Sequence, residues 1–267
     1  MQESCILKYF QHYASLGPQE TRFLESLEDK PVYIPRNSNI WHEGSDATNF
    51  YVLRSGWAYS SRILANGSRQ VLDVFVPGDL VGLREYAFKQ RLNGVHTITD
   101  VELCAFPKSQ LQAVFATSAL LGQLFFALAA RGQAMLLERV INLGRRSARQ
   151  RVAHLMSELT LRARHSPLGD GNTTLLPLSQ TLLADLLGLS AVHINRTIRG
   201  LREDGMIELH HQAIKLLDLD ALKEVASFNP AYLSDEYISL LPDTRSPFSF
   251  GDKATAADIS FRPGQPL

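Results

Sequence analysis

The stretch from Ser190 to Arg199, SAVHINRTIR, carries the side chains with the clearest chemistry in this sequence. The guanidinium of Arg196 can donate two parallel hydrogen bonds to O6 and N7 of guanine. Asn195 and its neighbours can bind a base edge or a phosphate, and Val192 can touch a thymine methyl group. These residue types favour recognition of double-stranded DNA. The candidate contacts are Ser190, Ala191, Val192, His193, Asn195, Arg196 and Arg199.

A helix must present these side chains, and the surrounding pattern predicts a helix-turn-helix from about Ser179 to Leu201. Ser179 can cap a first helix, Gly188 can take the positive φ that ends it, and Ser190 can cap a second helix. The segment from Ile207 to Leu217 then reads as a β-hairpin, the wing of a winged helix. The apolar positions expected to face inward are Leu182, Leu183, Leu186 and Leu187 in the first helix, and Ile194, Ile198 and Leu201 in the second.

Charge is unevenly distributed along the chain of 267 residues, whose formal net charge is zero. Residues 145 to 216 contain ten Lys and Arg against six Asp and Glu. A moderately basic domain of this kind is an electrostatic footprint for DNA, although a solvated charged face explains the same imbalance. The densest basic cluster comprises Arg145, Arg146, Arg149 and Arg151, ahead of a helix predicted to be amphipathic.

The N-terminal half has a different pattern of predicted secondary structure. Residues 1 to about 30 read as short helices, and the following strands are separated by Gly, Asn or Pro. Asn66-Gly67 predicts a hairpin with a type I′ turn, in which both central residues have positive φ. Many short strands with regular turns indicate an antiparallel, jelly-roll-like β-roll. The predicted strands are Val32–Ile34, Phe50–Leu53, Trp57–Leu64, Gln70–Val76 and Val95–Phe106.

Between these halves, about Lys108 to Arg146 reads as one long helix. Its apolar residues cover more than one stripe, which favours two partners: the roll and a second copy of the chain. Packing on its own roll alone is the simpler alternative. Gln123, Arg131, Gly132 and Gln133 interrupt the apolar run, so we do not expect a membrane span. The fold class is therefore α+β: a β-roll, a long dimerisation helix and a winged helix-turn-helix.

Over about residues 20 to 225, the sequence resembles the Crp/Fnr superfamily of bacterial transcription regulators. The resemblance is carried by HEGSDATNFYVLRSGWAYSSRILANGSRQVLDVFVPGDLVG and LADLLGLSAVHINRTIRGLREDGMIEL. It implies a cytoplasmic homodimer that reads a palindromic promoter site and meets RNA polymerase. By position it places base reading on Ala191, Val192 and Arg196; the first two replace polar residues of the best-known members. The expected divisions are 1–116 sensor, 117–145 dimerisation helix, 146–225 DNA-binding domain and 226–267 C-terminal extension, the last partly disordered.

The same resemblance implies an effector pocket at Gly82, Leu83, Arg84, Glu85 and Arg91. Members that bind cyclic nucleotides have Glu directly after the glycine and a later Arg-Ser or Arg-Thr pair. This chain has Leu83 after Gly82 and Leu92 after Arg91, so we do not expect cyclic AMP bound in the usual way.

Other cofactors have weaker support. The two cysteines, Cys5 and Cys104, suit a reducing compartment and are too few for the cysteine ligands of an iron–sulfur cluster. His12, His42 and His96 leave haem ligation open, and a roll with no ligand is also open.

Two other classes of function compete with DNA-binding regulation. A cupin-type metalloenzyme has a related roll but needs a converging His-x-His pair, Glu and further His, which this sequence lacks. We therefore expect no enzyme activity and no metal site. A protein-interaction module without specific DNA binding is the other alternative. It would be favoured if the protein ignored promoter DNA at low salt.

Overall fold

The computed structural model describes residues 4–26, 31–166, 168 and 174–234. Two short helices open the chain, as predicted: α1 (Cys5–Tyr13) and α2 (Pro18–Ser26). Eight strands follow: β1 (Val32–Ile34), β2 (Asn39–Trp41), β3 (Asn49–Ser55), β4 (Ala58–Ile63), β5 (Arg69–Phe75), β6 (Leu80–Val81), β7 (Gly94–Thr97) and β8 (Val101–Pro107). Short 3₁₀ turns occupy Leu83–Glu85 and Lys108–Gln110.

The strands form two antiparallel four-stranded sheets, in the orders β1-β8-β3-β6 and β2-β7-β4-β5. Their facing sides bury Trp41, Leu53 and Val95 with other apolar residues, which confirms the predicted roll. The β4–β5 hairpin is also confirmed, but its turn is not type I′. Only Gly67 has positive φ (80°), and its N–H donates to Leu64 O. The predicted strand Val95–Phe106 is two strands, β7 and β8.

The predicted long helix is broken. Residues 111–117 form α3 (Leu111–Thr117), and α4 (Ala119–Arg145) begins after Ser118. Ser118 has extended backbone, its hydroxyl accepts a hydrogen bond from the N–H of Leu121, and it donates one to Glu20 Oε1 at 2.9 Å. The break is therefore a cap held by a contact 98 residues away along the chain.

The C-terminal half begins with α5 (Ala148–His165), which is buried on nearly every side. The prediction of an amphipathic helix was wrong, because His154, Glu158 and Arg162 are as buried as the apolar residues. Then follow β9 (Leu175–Leu176), α6 (Gln180–Leu187), α7 (Ala191–Glu203), β10 (Ile207–His210), β11 (Ala213–Leu216), α8 (Leu219–Ala226) and a 3₁₀ turn, Pro230–Leu233. The wing sheet has the order β10-β11-β9.

A buried charge network joins the two halves around α5. Arg162 bonds to Glu158 and Asp79, and Arg139 of α4 bonds to Glu158 and Asp73. Tyr232, in the last turn, donates to Glu158 Oε2 at 2.9 Å. Roll, long helix and C-terminal half are therefore held together through buried ionic contacts. The predicted disordered tail beyond residue 234 lies outside the described residues.

Candidate nucleic-acid interface

The helix-turn-helix forms as its local signals predict. The hydroxyl of Ser179 accepts a hydrogen bond from Leu182 N, and Gly188 ends α6 with φ of 59°. The hydroxyl of Ser190 then caps α7 by accepting a hydrogen bond from His193 N at 3.3 Å. Because the predicted inward positions are buried, the opposite face of α7 is fixed toward solvent. The buried residues are Leu182, Leu183, Leu186, Leu187, Ile194, Ile198 and Leu201.

The solvent-facing side of α7 carries the predicted contacts on one surface. Val192, Asn195, Arg196 and Arg199 recur at spacings of three and four and are all exposed, Val192 by 66%. Within the part of the chain that the structure describes, Arg196 and Asn195 have no hydrogen-bond or ion-pair partner of their own. Their donors are therefore available to a ligand. A basic, partner-free side chain in the N-terminal half of such a helix has the chemistry for the major groove.

The other candidates on α7 are differently placed. Arg199 donates to Glu203 Oε1 at 2.8 Å, and this hydrogen bond raises the pKa of the exposed arginine. That bond uses only Nε, so, within the described residues, the four N–H donors of the two terminal nitrogens are free for a phosphate. Ser190 Oγ lies 3.0 Å from Nδ1 of His193, so these two polar groups are engaged with each other at the start of the helix. Ala191, beside them, is exposed.

Three arginines of the basic cluster, which runs from the end of α4 into the start of α5, contact neighbouring elements. Arg149 forms an ion pair with Asp204 just after α7, and Arg146 pairs with Glu138 of α4 at 3.0 Å. Arg151 donates to Arg146 O at 2.9 Å and to Leu187 O, at the end of α6, at 3.2 Å. Arg149 and Arg151 thus contact the residues that follow α7 and end α6, and Arg146 contacts α4, so these three guanidinium groups support the fold around the helix-turn-helix.

Sequence reasoning missed the tip of the wing as a candidate contact. His210, the last residue of β10, and His211, the first residue of the two-residue turn before β11, are both exposed, and His211 has positive φ (56°). Their position at the end of a hairpin was the available signal, since such a tip projects from the domain. The candidate interface thus comprises the exposed face of α7 and the wing tip.

The helix-turn-helix is also docked on the roll. Arg69 of β5 contacts the carboxylate of Asp185 in α6 at 2.6 Å, and the amide of Gln70 donates to Asp185 O at 2.8 Å. Trp57, Val71 and Val74 of the roll share one core with the helix-turn-helix. The α6 helix is therefore bound to the roll while α7 stays exposed.

The predicted effector residues do not form one site. Arg91 and Glu85 are both buried and pair with each other at 3.0 Å, with the guanidinium of Arg91 stacked 4.0 Å from the Trp41 ring. Arg84 donates instead to Asp73 at 2.7 Å. Gly82, Arg84 and Glu85 line a cavity of about 520 Å³ between roll and α4, and Leu83 lines a separate cavity of about 140 Å³, which Arg84 also lines. Arg91 lines neither of these two cavities.

The remaining cofactor candidates also have other roles. His96 stacks on Tyr59 with the ring centroids 5.1 Å apart, and burial, with Arg69 and His42 nearby, lowers its pKa. Cys104 is completely buried, as its apolar surroundings predict, and is disulfide-bonded, which the sequence did not predict. Among the described residues no group of three His, Cys, Asp or Glu side chains is arranged to hold a metal ion.

Comparisons with known proteins agree with this architecture. Residues 31–118 match the cyclic nucleotide-binding domain and residues 150–225 match the Crp-like helix-turn-helix domain. The chain belongs to the Crp/Fnr superfamily. The nitrogen fixation regulation protein FixK of Bradyrhizobium diazoefficiens is 29% identical over 229 residues, which cover 84% of this chain and 92% of FixK. The transcriptional activator FnrL of Cereibacter sphaeroides is 24% identical, covering 77% of this chain and 83% of FnrL.

Solved Crp/Fnr structures share the fold. The structure of FixK2 from Bradyrhizobium japonicum superposes with a TM-score of 0.66 at 21% identity, covering 75% of this chain and 98% of FixK2. A Crp-family regulator from Thermus thermophilus superposes with a TM-score of 0.60 at 20% identity, covering 74% of this chain and 97% of that protein. The predicted α+β architecture and the DNA-binding transcription regulator are thus confirmed at the level of the superfamily.

Proposed function

We propose that this Crp/Fnr regulator binds a palindromic site in double-stranded DNA as a homodimer, through the exposed face of α7. The observation that carries the proposal is Arg196, which is exposed and partner-free among the described residues on a helix whose other side is buried. Arg196 reads guanine, Val192 and Ala191 contact thymine methyl groups, and Asn195 and His193 contact a base edge or phosphate. Ser190 and Arg199 bind the sugar-phosphate backbone of the DNA.

An apolar stripe along α4 supports the homodimer. Ala129, Ala130 and Gly144 are exposed among its larger members and allow a second helix to approach closely. The stripe recurs at spacings of three and four, as in a coiled coil, and Leu136 and Val140 at its edge also line the cavity between the roll and α4. Its larger apolar members are Phe126 (76% exposed), Leu136 (37%), Leu137 (60%), Val140 (67%) and Ile141 (46%).

The same helix is long and apolar enough to span a membrane, by length and composition alone. Two features favour the dimer instead. Arg139, in its C-terminal half, is tied into the buried charge network through Asp73 and Glu158. Its N-terminal half packs Leu121 and Leu124 against the roll and α1. We accordingly place the protein in the cytoplasm, with promoter DNA and RNA polymerase as partners and no catalytic activity.

Within this proposal the roll is the sensor. Its effector pocket is the cavity of about 520 Å³ lined by Gly82, Arg84 and Glu85 together with α4. A molecule bound there contacts both the roll and the helix that joins the subunits. Arg91 and Leu83 support the pocket from outside it, since Arg91 pairs with Glu85 and Leu83 precedes Arg84.

Selection of bound sequences from a random DNA pool tests the DNA-binding proposal. The expected product is a palindrome whose half-sites are centred about one helical turn apart. Against that sequence, Arg196→Ala should raise Kd at least about 30-fold, because each of two half-sites loses a bidentate contact of about 1–3 kcal/mol. Arg22→Ala, an exposed arginine on α2, is the matched control. Wild-type affinity of Arg196→Ala would remove that residue from base reading, and a pool without enrichment would favour the protein-interaction module.

Sedimentation equilibrium tests whether the apolar stripe of α4 joins two subunits. Leu137→Glu should weaken the dimer at least about a hundredfold, because it places a charge where about 1.5–3 kcal/mol of apolar burial per subunit is expected. Leu64→Glu makes the same change at an exposed leucine of the roll and should leave the dimer intact. A wild-type protein that is monomeric at micromolar concentration, or equal dimerisation of both variants, contradicts dimerisation through the apolar stripe of α4.

A further inference from the structure

We propose that His154 makes the joint between α4 and α5 a pH-sensitive switch, in which a proton on the imidazole releases the C-terminal turn. The joint consists of α4, α5 and the turn Pro230–Leu233, which contacts both helices. The proposal goes beyond the proposed function, because it adds control by pH and holds for the chain without DNA.

His154 lies in the middle of this joint. Its side chain is 2% exposed, and its ring packs on Phe228 and Tyr232 with centroid distances of 4.8 and 6.3 Å. Tyr232 also donates a hydrogen bond to Glu158 of α5 at 2.9 Å. These contacts hold the C-terminal turn against the ring. A neutral imidazole is compatible with such packing, whereas an imidazolium in the same place is cut off from water at a high cost in free energy.

One nitrogen of the buried ring is unsatisfied. Nε2 makes no hydrogen bond among the described residues and lies 3.5 Å from Oε2 of Glu138 in α4. That oxygen already accepts a hydrogen bond from Arg146 at 3.0 Å. An imidazolium N–H at Nε2 would therefore have to share the oxygen with a guanidinium group.

The surroundings of the ring oppose its protonation in sum. Burial lowers the pKa of His154, and Arg146 and Arg139 lower it further, whereas Glu158 and Glu138 raise it. The two carboxylates do not outweigh the other effects, because each is already paired with arginine. The ionisable groups that face the ring are Glu138 and Arg139 of α4, Arg146 after α4, Glu158 of α5 and Tyr232 of the C-terminal turn.

Acid therefore acts against the closed joint. A histidine whose pKa is lowered in the folded state contributes stability that is present above the ordinary value of about 6.5 and is lost as the pH falls below it. Exposure of the ring to water removes the penalty on the charge and separates the ring from Phe228 and Tyr232. Because α5 also packs on α6 and α7, the opening loosens the support of the helix-turn-helix.

Hydrogen exchange of the full chain without DNA, at about pH 7.5 and about pH 5.5, tests the switch. Rates are corrected for the intrinsic pH dependence of amide exchange. Residues 219–234 contain α8 and the C-terminal turn. Their corrected exchange should be up to about tenfold faster at the lower pH, because an exposed imidazole of ordinary pKa is about nine-tenths protonated there. His154→Gln should remove this difference, whereas His211→Gln, the same change at an exposed histidine of the wing, should retain it.

Proton NMR of the His154 ring in the wild-type protein is a second measurement, which does not depend on the folding of a variant. We expect the ring to titrate below about pH 6.5. Three results would each overturn the proposal: titration at or above that value, the same pH dependence of exchange in wild type and His154→Gln, or exchange of residues 219–234 that is unchanged or slower at the lower pH. Slower exchange would mean that Glu138 holds the imidazolium and closes the joint. Because these measurements need no DNA, their failure leaves the operator proposal standing, and failure to bind an operator leaves them unaffected.

Discussion

Replacement of Arg162 by Met tests what the buried charge network contributes to stability. The Arg162 side chain is 3% exposed, and it donates to Glu158 at 3.3 Å, Val74 O at 3.0 Å and Asp79 at 2.6 Å. Methionine keeps much of the length and apolar volume but removes every donor. Glu158 retains Arg139 and Tyr232. Asp79 loses its arginine, and Val74 O loses its donor.

The expected loss of stability follows from Asp79 and the main-chain oxygen of Val74, each of which loses its bond to Arg162. Removing one partner of a buried pair costs about 3–5 kcal/mol. Asp79 keeps a hydrogen bond from Val76 N at 2.7 Å and is 23% exposed, so we expect the lower end, about 3 kcal/mol. Arg84→Met is the matched control, because Arg84 belongs to the same network but its side chain is 43% exposed. Its loss should be below about 1 kcal/mol.

Urea unfolding at one fixed protein concentration measures both variants, because the proposed dimerisation would make apparent stability depend on concentration. Burial raises the pKa of Asp79, and Arg162 offsets part of that rise. Without Arg162 the pKa rises further, so the carboxylate penalty should shrink as the pH falls through that higher value. Asp79→Asn should likewise recover part of the loss in the double variant. Equal stability of Arg162→Met and Arg84→Met, or a defect that grows toward acid pH, would refute this reasoning.

Three further results are expected. Ser190→Ala should cost about 1 kcal/mol in thermal unfolding, because it removes the cap that binds His193 N; an unchanged Tm contradicts that role. Asp185→Ala should speed amide exchange in α6, because that helix loses its ion pair with Arg69. Global stability should fall by less than about 1 kcal/mol, since both side chains are partly exposed. Unchanged exchange would contradict a role of Asp185 in holding α6 to the roll. Burial alone would raise the pKa of Asp73, but Arg139, Arg84 and Arg162 outweigh it and hold that pKa well below its usual range. Stability from Asp73 is therefore present above about pH 4 and lost as the pH falls, so Asp73→Asn should flatten the acid limb of the unfolding free energy.

The helix-turn-helix could be predicted because its signals are local. Ser179, Gly188 and Ser190 act on backbone groups within a few residues, and the apolar spacing decides which face is exposed. Ser118 carries the same local capping signal, through Leu121 N, and sequence reasoning missed it; only its bond to Glu20, distant in sequence, was beyond local signals.

The burial of polar side chains is the second feature that could not be predicted from the sequence. The pattern of α5 predicts an amphipathic helix, because Glu158 and Arg162 are solvated in most helices. Their partners come from β5, the loop after it, α4 and the C-terminal turn, and only the folded chain brings these together. The pairing of Arg91 with Glu85 escaped prediction for the same reason, since side-chain geometry decides whether a nearby arginine faces a ligand or a carboxylate.

The clamp between Asp185 and the pair Arg69 and Gln70 bears on how many promoters such a regulator can serve. In the proposed homodimer, fixing α6 to the roll would keep the two recognition helices at one separation and one relative rotation. Each base pair inserted between half-sites turns one of them by about 35° around the DNA axis. A dimer held in this way would therefore select operators by spacer length as well as by base sequence. Loosening the clamp would widen the set of genes under control without changing a single base contact.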